Sequence, residues 1–111
     1  PPLELTFDEV QRAYMGRLLE KDGYRILPFR NASEDFLGRV FRQKVVYMSE
    51  RHYQRLIVLR AQEGGWHPPA IRRPRDLLRV LDGPDYRIAY MWEREARSRE
   101  GVRILRELWR E

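Results

Sequence analysis

The chain has 111 residues, of which 42% are hydrophobic and none is cysteine, and its formal net charge is +5 at pH 7. This composition predicts one globular domain over residues 1–111, and it excludes disulfide bonds and cysteine-ligated metals. The longest apolar run, Ile88–Trp92, is far shorter than the ~20 residues that cross a bilayer. We therefore expect an intracellular, cytoplasmic protein that does not insert into a membrane.

Capping signals predict the first two helices. Thr6 and Glu9 have the spacing of a capping box, and apolar residues at helical spacing continue from there towards Gly23. Ser33 is the expected N-cap of a second helix, and the two acidic residues after it favour the positive end of the helix dipole. Between these helices, Tyr24–Phe29 is short, apolar and interrupted by a proline, which predicts an edge strand or an extended linker.

The middle of the chain predicts two more helices. Lys44–Met48 is expected to form either a short strand or a tight connection, after which Ser49 caps a helix that ends at Gly64. A fourth helix is expected to start at Pro74, because the first helical position tolerates proline. The residues of the third helix expected to face the core are Tyr53, Leu56, Ile57 and Leu59.

The last part of the chain, from Pro84 onward, predicts a long helix. It is apolar on almost all sides over Ile88–Trp92 and becomes amphipathic from Val102. Together the elements predict a mainly α fold, a compact single domain of five to six helices. This fold leaves room for one small two-stranded β element made of Tyr24–Phe29 and Lys44–Met48.

The positive charge is concentrated in residues 38–81, which we call the basic block. It contains ten basic and three acidic residues, whereas the two flanking parts of the chain carry no excess of basic residues. Such a concentration favours an anionic partner, either a nucleic acid or an acidic protein surface. The alternative is a solvated face that keeps the protein soluble. Nine basic residues of the block are candidates for contacting the partner: Arg39, Arg42, Lys44, Arg51, Arg55, Arg72, Arg73, Arg75 and Arg79.

Two aromatic residues of the basic block, Tyr53 and Trp66, are candidate anchors. Aromatic rings among arginines can stack on unpaired bases, and tryptophan is enriched at the hot spots of protein interfaces. For Trp66, which follows two helix-ending glycines, the alternative is a ring that folds back into a hydrophobic contact.

The segments 33–43 and 49–62 suggest a helix-turn-helix, in which the start of the second helix would read bases. Against this, the connection Lys44–Met48 is apolar and longer than a tight turn. Two ordinary core helices are the alternative.

Motifs for catalysis and for metal binding are missing from the sequence. His52 and His67 are the only histidines, so a metal site would need two carboxylates brought in by the fold. No serine lies in a nucleophile-elbow context and there is no glycine-rich phosphate loop. We therefore predict a protein that is not an enzyme and that uses neither a metal nor a cofactor.

The sequence predicts a binding module associated with nucleic acid, such as an accessory or regulatory protein of the transcription, replication or translation machinery. The alternative is an adaptor or inhibitor, for example a phage or mobile-element protein, that docks on an acidic protein surface. It would bind through arginines and a tryptophan anchor.

Overall fold

The computed structural model describes residues 4–17, 20–99 and 101–110. In these ranges the chain forms five α-helices and five short strands. In chain order these are α1 (Phe7–Tyr14), β1 (Glu20–Lys21), β2 (Tyr24–Pro28), β3 (Arg30–Asn31), α2 (Asp35–Phe41, continued by a π-helical turn over Arg42–Val46), α3 (Glu50–Gln62), β4 (Ala70–Ile71), α4 (Pro74–Val80), β5 (Tyr86–Ile88) and α5 (Glu93–Arg97). The prediction of a mainly α fold with one two-stranded element is wrong, because the described chain contains a three-stranded mixed sheet and a two-stranded parallel sheet.

Strand β2 is the middle strand of the larger sheet. Its first two residues pair antiparallel with β1, and its last three pair in parallel with β5. Because β1 stops short of Pro28, the missing N–H of that proline removes no bond on the β1 side. The prediction of an extended segment at Tyr24–Phe29 is confirmed, but its placement at a sheet edge or in a linker is wrong.

Lys44–Met48 is not a strand. Its first three residues complete the π-helical turn after α2, and Tyr47 then adopts a left-handed backbone with φ 53° and ψ 45°. Val45 and Val46 are 2% and 3% exposed. A strand with one solvated face would bury only one of two adjacent side chains, so the burial of both valines in a helical turn outweighs their β preference.

The long C-terminal helix is also absent from the described chain. The segment instead forms β5, an extended stretch to Trp92, the short α5, and residues 102–110 without regular secondary structure. Only Ile88 of the apolar run Ile88–Trp92 belongs to β5. The run is apolar because its residues contact hydrophobic clusters on two sides: Ile88 and Tyr90 contact one cluster, and Ala89 and Met91 contact another.

The larger sheet separates two hydrophobic clusters. Ile26 and Ile88 belong to the main cluster, which holds residues of α1, of α3 and of the end of α2. Leu27 turns to the other face and packs with Leu77 of α4 in a smaller cluster, against which Trp66 is placed. This alternation of neighbouring residues between the faces is the two-residue period of a strand.

Three of the five predicted helix starts are confirmed, and the start predicted at Pro84 is wrong, because β5 follows that proline. Thr6 and Glu9 form a complete capping box, and the Ser49 hydroxyl accepts the His52 N–H at 3.2 Å. Pro74 is the first residue of α4. The predicted cap at Ser33 is wrong, since its hydroxyl donates to the Asn31 side chain and Glu34 takes the N-cap position.

The first helix is shorter than predicted. It ends at Tyr14, and Gly16 follows with a φ of +75° that favours glycine, whereas the sequence predicted a helix towards Gly23. Leu18 and Leu19 lie outside the described residues. Within the described ranges, no helix has the length and apolar character that crossing a membrane requires.

Candidate functional site

Helix α3 is held to the rest of the protein along one side. Tyr53 and Ile57 are buried, and the Tyr53 hydroxyl donates to the backbone oxygen of Tyr14 at 2.7 Å. One turn after Ile57, the Nε of Arg60 donates to the backbone oxygen of Met15 at 2.9 Å. These contacts fix the orientation of the helix, and its opposite side faces solvent.

The solvent side of this helix forms a shallow surface that we call the α3 face. It is lined by Arg51, Gln54, Arg55, Val58, Leu59 and Gln62. Val58 and Leu59 are 54% and 48% exposed, so the expected inward position of Leu59 is wrong. Two residues along a helix turn by about 200°, so Ile57 and Leu59 point to opposite sides.

The nine candidate basic residues share one property, the lack of an ion pair within the described residues. Six ion pairs join side chains of the described residues, and only Arg60–Glu63 involves the basic block. Outside the block, Arg12, Lys21 and Arg25 each lie 2.9 Å from a carboxylate oxygen. Among the described residues, none of the nine candidates forms an ion pair. The charges of these nine side chains are thus not paired with a carboxylate of the described chain.

The nine candidates lie on three parts of the fold. Eight are exposed, and Arg42 is half-buried. Arg39, Arg42 and Lys44 lie on α2 and its π-helical turn, Arg51 and Arg55 on the α3 face, and Arg72, Arg73, Arg75 and Arg79 before and along α4. The structure brings Arg51 and Arg55 together on one surface. In the described ranges, no hydrogen bond or ion pair joins this surface to the arginines around α4.

Neither aromatic candidate is freely exposed. Tyr53 is 2% exposed, and burial raises the pKa of its hydroxyl above the usual value. The Trp66 ring is half-buried with its centroid 5.6 Å from that of Phe29, and its Nε1 donates to the Pro28 oxygen at 3.1 Å. This is the folded-back arrangement that was the alternative for Trp66.

The exposed aromatic residue of the basic block is Tyr47, which was not a candidate anchor. It is 66% exposed and lies between the turn after α2 and the start of α3. Its position directly before Met48 and the cap residue Ser49 is the sequence signal that marks it as part of a turn. Interpreting Lys44–Met48 as one apolar segment concealed this signal.

The connection between α2 and α3 is shorter than the sequence suggested. Because Lys44–Val46 is helical, only Tyr47, Met48 and Ser49 separate the two helical segments. The described chain therefore has the order helix, short turn, helix that a helix-turn-helix requires.

The histidines and the carboxylates that line a large cavity do not form a metal site among the described residues. His52 and His67 are both exposed, and among the described residues no three His, Cys, Asp or Glu side chains are grouped as a metal site. A cavity of about 890 Å³ lies between the core and residues 101–110. Two of its carboxylates, Asp85 and Glu93, are engaged in ion pairs with arginines.

Comparison with protein-family models, with curated proteins and with solved structures finds no match. The function is therefore inferred from the chain's own residues.

Proposed function

We propose that the protein binds nucleic acid through the basic block, with the α3 face as the principal contact surface. The observation that carries the proposal is the absence of ion pairs at all nine candidate basic residues in the described structure, whereas Arg12, Lys21, Arg25, Arg97 and Arg110, outside the block, each pair with a carboxylate. Uncompensated arginines are suited to phosphates, which accept two hydrogen bonds from one guanidinium group.

The position of the two arginines on α3 supports this proposal. Arg51 and Arg55 are one helical turn apart on the solvent side, and Gln54 lies between them. The buried side of the helix is fixed by Tyr53 and Ile57, so the arginines project from a rigid element. Contacts with phosphates release counterions, which gives an affinity that falls steeply with salt.

The proposed role is not enzymatic. It is that of an accessory or regulatory protein of transcription, replication or translation. We include a cytoplasmic location in this proposal, since the proposed partner is nucleic acid.

A mobility-shift assay at low salt tests the proposal with charge-matched variants. Arg51→Gln with Arg55→Gln removes two unpaired charges from the α3 face. Arg12→Gln with Arg97→Gln removes the same charge from two arginines that are paired with Asp8 and Glu93. We expect about a tenfold or greater loss of affinity in the first double variant and little change in the second. Absence of wild-type binding to any duplex or single strand, or equal losses in the two variants, would contradict the proposal.

A second candidate function, binding to an acidic protein surface, is favoured by one observation. Val58 and Leu59 are exposed side by side on the α3 face, next to Arg55. Exposed apolar residues beside arginines are typical of protein interfaces. This function predicts a partner in pull-down experiments that survives nuclease treatment and is lost in Val58→Ser with Leu59→Ser. A partner recovered only when nucleic acid is present would contradict it.

A further inference from the structure

We infer that Tyr47 stacks on an unpaired base, so that the protein binds nucleic acid as a single strand. This inference rests on the proposed function and specifies its ligand. It concerns a residue on the turn before α3 rather than the α3 face itself.

The Tyr47 ring is exposed and has no aromatic partner in the described chain. Among the large hydrophobic residues that the structure describes, Tyr47 is the most exposed, at 66%. The other strongly exposed rings are engaged, because Tyr24 contacts Tyr86 at 4.9 Å and Phe36 stacks on Trp92 at 5.9 Å between centroids. The Tyr47 ring is therefore mostly open to solvent and is not engaged by another ring in the described chain.

The backbone around Tyr47 is fixed in an uncommon conformation. Tyr47 has φ 53°, which non-glycine residues rarely adopt and which is often found at functional sites. The N–H groups of Tyr47 and Met48 both donate to the Arg42 oxygen. The two chain neighbours of Tyr47 are held by the main cluster: Val46 is buried in it and Met48 packs against it. The ring thus projects from an anchored turn, which lowers the entropy that is lost when it stacks.

Uncompensated positive charges lie close to Tyr47 along the chain. Lys44 is three residues before it and Arg51 four residues after it, and both are exposed. An aromatic ring flanked by basic residues is the arrangement by which proteins bind single strands, with the bases on the rings and the phosphates on the cations. In a duplex the bases already stack on one another, so their faces are closed to such a ring.

The test measures the fluorescence anisotropy of a labelled single strand of about 12 nucleotides and of the corresponding duplex. Tyr47→Ala removes the ring and Tyr47→Phe keeps it. Tyr47→Gly removes the ring in a residue that tolerates a positive φ, which covers the case that alanine disturbs the turn. Tyr24→Ala is the matched control, since Tyr24 is exposed outside the basic block. Circular dichroism verifies that each variant is folded.

We expect Tyr47→Ala and Tyr47→Gly to lose about tenfold in affinity for the single strand, and Tyr47→Phe and Tyr24→Ala to stay near the wild type. Duplex affinity should not change in any of them. On an oligonucleotide whose sugars carry no bases, wild type and Tyr47→Ala should bind equally.

The inference is overturned if folded Tyr47→Ala binds the single strand like the wild type, or if its loss persists on the strand without bases. In either case salt-dependent binding by the wild type would leave the proposed function intact. If the wild type binds neither strand form at low salt, the proposed function fails as well.

Discussion

At the scale of single residues, Tyr14 links three elements through one side chain and its backbone. Its hydroxyl donates to the Phe29 oxygen at 2.8 Å, directly after β2, and lies 3.4 Å from the Ile88 oxygen of β5. Its own backbone oxygen accepts the Tyr53 hydroxyl of α3. Burial raises the pKa of the Tyr14 hydroxyl well above the usual value, so the group remains a hydrogen-bond donor in the folded protein.

We expect Tyr14→Phe to lower the free energy of unfolding by about 1–3 kcal/mol, because the buried Phe29 oxygen loses its donor. Urea unfolding followed by circular dichroism measures the change. Tyr24→Phe is the control: its hydroxyl is on an exposed side chain, and a change within about 0.5 kcal/mol is expected. Equal effects in the two variants would show that the Tyr14 hydroxyl contributes nothing specific.

Residue positions also explain why the candidate site was only partly predictable. The excess of basic residues could be counted from the sequence, and all of the nine candidates except Arg42 are exposed. Helical spacing had already placed Tyr53 towards the core, where it is 2% exposed, whereas the exposure of Tyr47 depends on how the chain turns between α2 and α3. Helical spacing from Ile57 would have placed Leu59 outside.

At the scale of elements, the end of α1 depends on the glycine that follows it. Gly16 has φ +75°, and an added Cβ would lie 2.9 Å from both Cγ and Cδ of Arg60. Arg60 cannot move without loosening its hydrogen bond to the Met15 oxygen and its ion pair with Glu63. The turn after α1 and the last turns of α3 are therefore packed against each other through this arginine.

We expect Gly16→Ala to destabilise the protein by about 2 kcal/mol or more, from backbone strain together with the contact to Arg60. Gly23→Ala is the matched control, since Gly23 has φ +84° and no atom within 4 Å of an added Cβ. It should lose only the strain, about 1 kcal/mol. Thermal unfolding of both variants measures the difference, and losses of the same size would exclude a contribution from Arg60.

The capping box of α1 makes stability depend on pH. Glu9 Oε1 accepts the Thr6 N–H and the Lys21 Nζ, both at 2.9 Å. The Thr6 hydrogen bond first, and Lys21 second, lower the pKa of Glu9 in the folded protein. A lowered pKa means that the charged form stabilises the fold above the unfolded pKa, and that this stabilisation is lost as the pH falls through the folded pKa.

We therefore expect Glu9→Gln to cost about 1 kcal/mol at pH 7 and progressively less as the pH falls below about 4. Unfolding of wild type and variant across the acid range measures this. A cost that does not change with pH would show that the charge of Glu9 is not what stabilises the helix start.

The elements that the sequence predicted correctly are those defined by neighbouring residues. The side chains of Thr6 and Ser49 accept hydrogen bonds from backbone N–H groups three residues later, so the local sequence pattern is sufficient to predict these two helix starts. Strand β5 could not be predicted in this way, because it pairs with β2 about sixty residues earlier in the chain. At Ser33, a hydrogen bond to Asn31 competes with the expected cap.

At the scale of the whole molecule, the larger sheet determines which helices pack into which hydrophobic cluster. One face of β2 and β5 supports the main cluster with α1 and α3, and the other supports the smaller cluster with α4. Ion pairs such as Arg25–Asp85 neutralise charge across the ends of these strands. The nine candidate basic residues of the block form no such ion pair in the described chain.

The central claim is that unpaired arginines of the α3 face bind phosphates, and the salt dependence of affinity tests it most directly. The measurement is the slope of the logarithm of the binding constant against the logarithm of salt concentration, for a single-stranded oligonucleotide. In Arg51→Gln with Arg55→Gln we expect this slope to become shallower by about 1.4, or about 0.7 for each lost phosphate contact. In Arg12→Gln with Arg97→Gln we expect the wild-type slope. A binding constant that does not change with salt, or the same slope in both double variants, would contradict the claim.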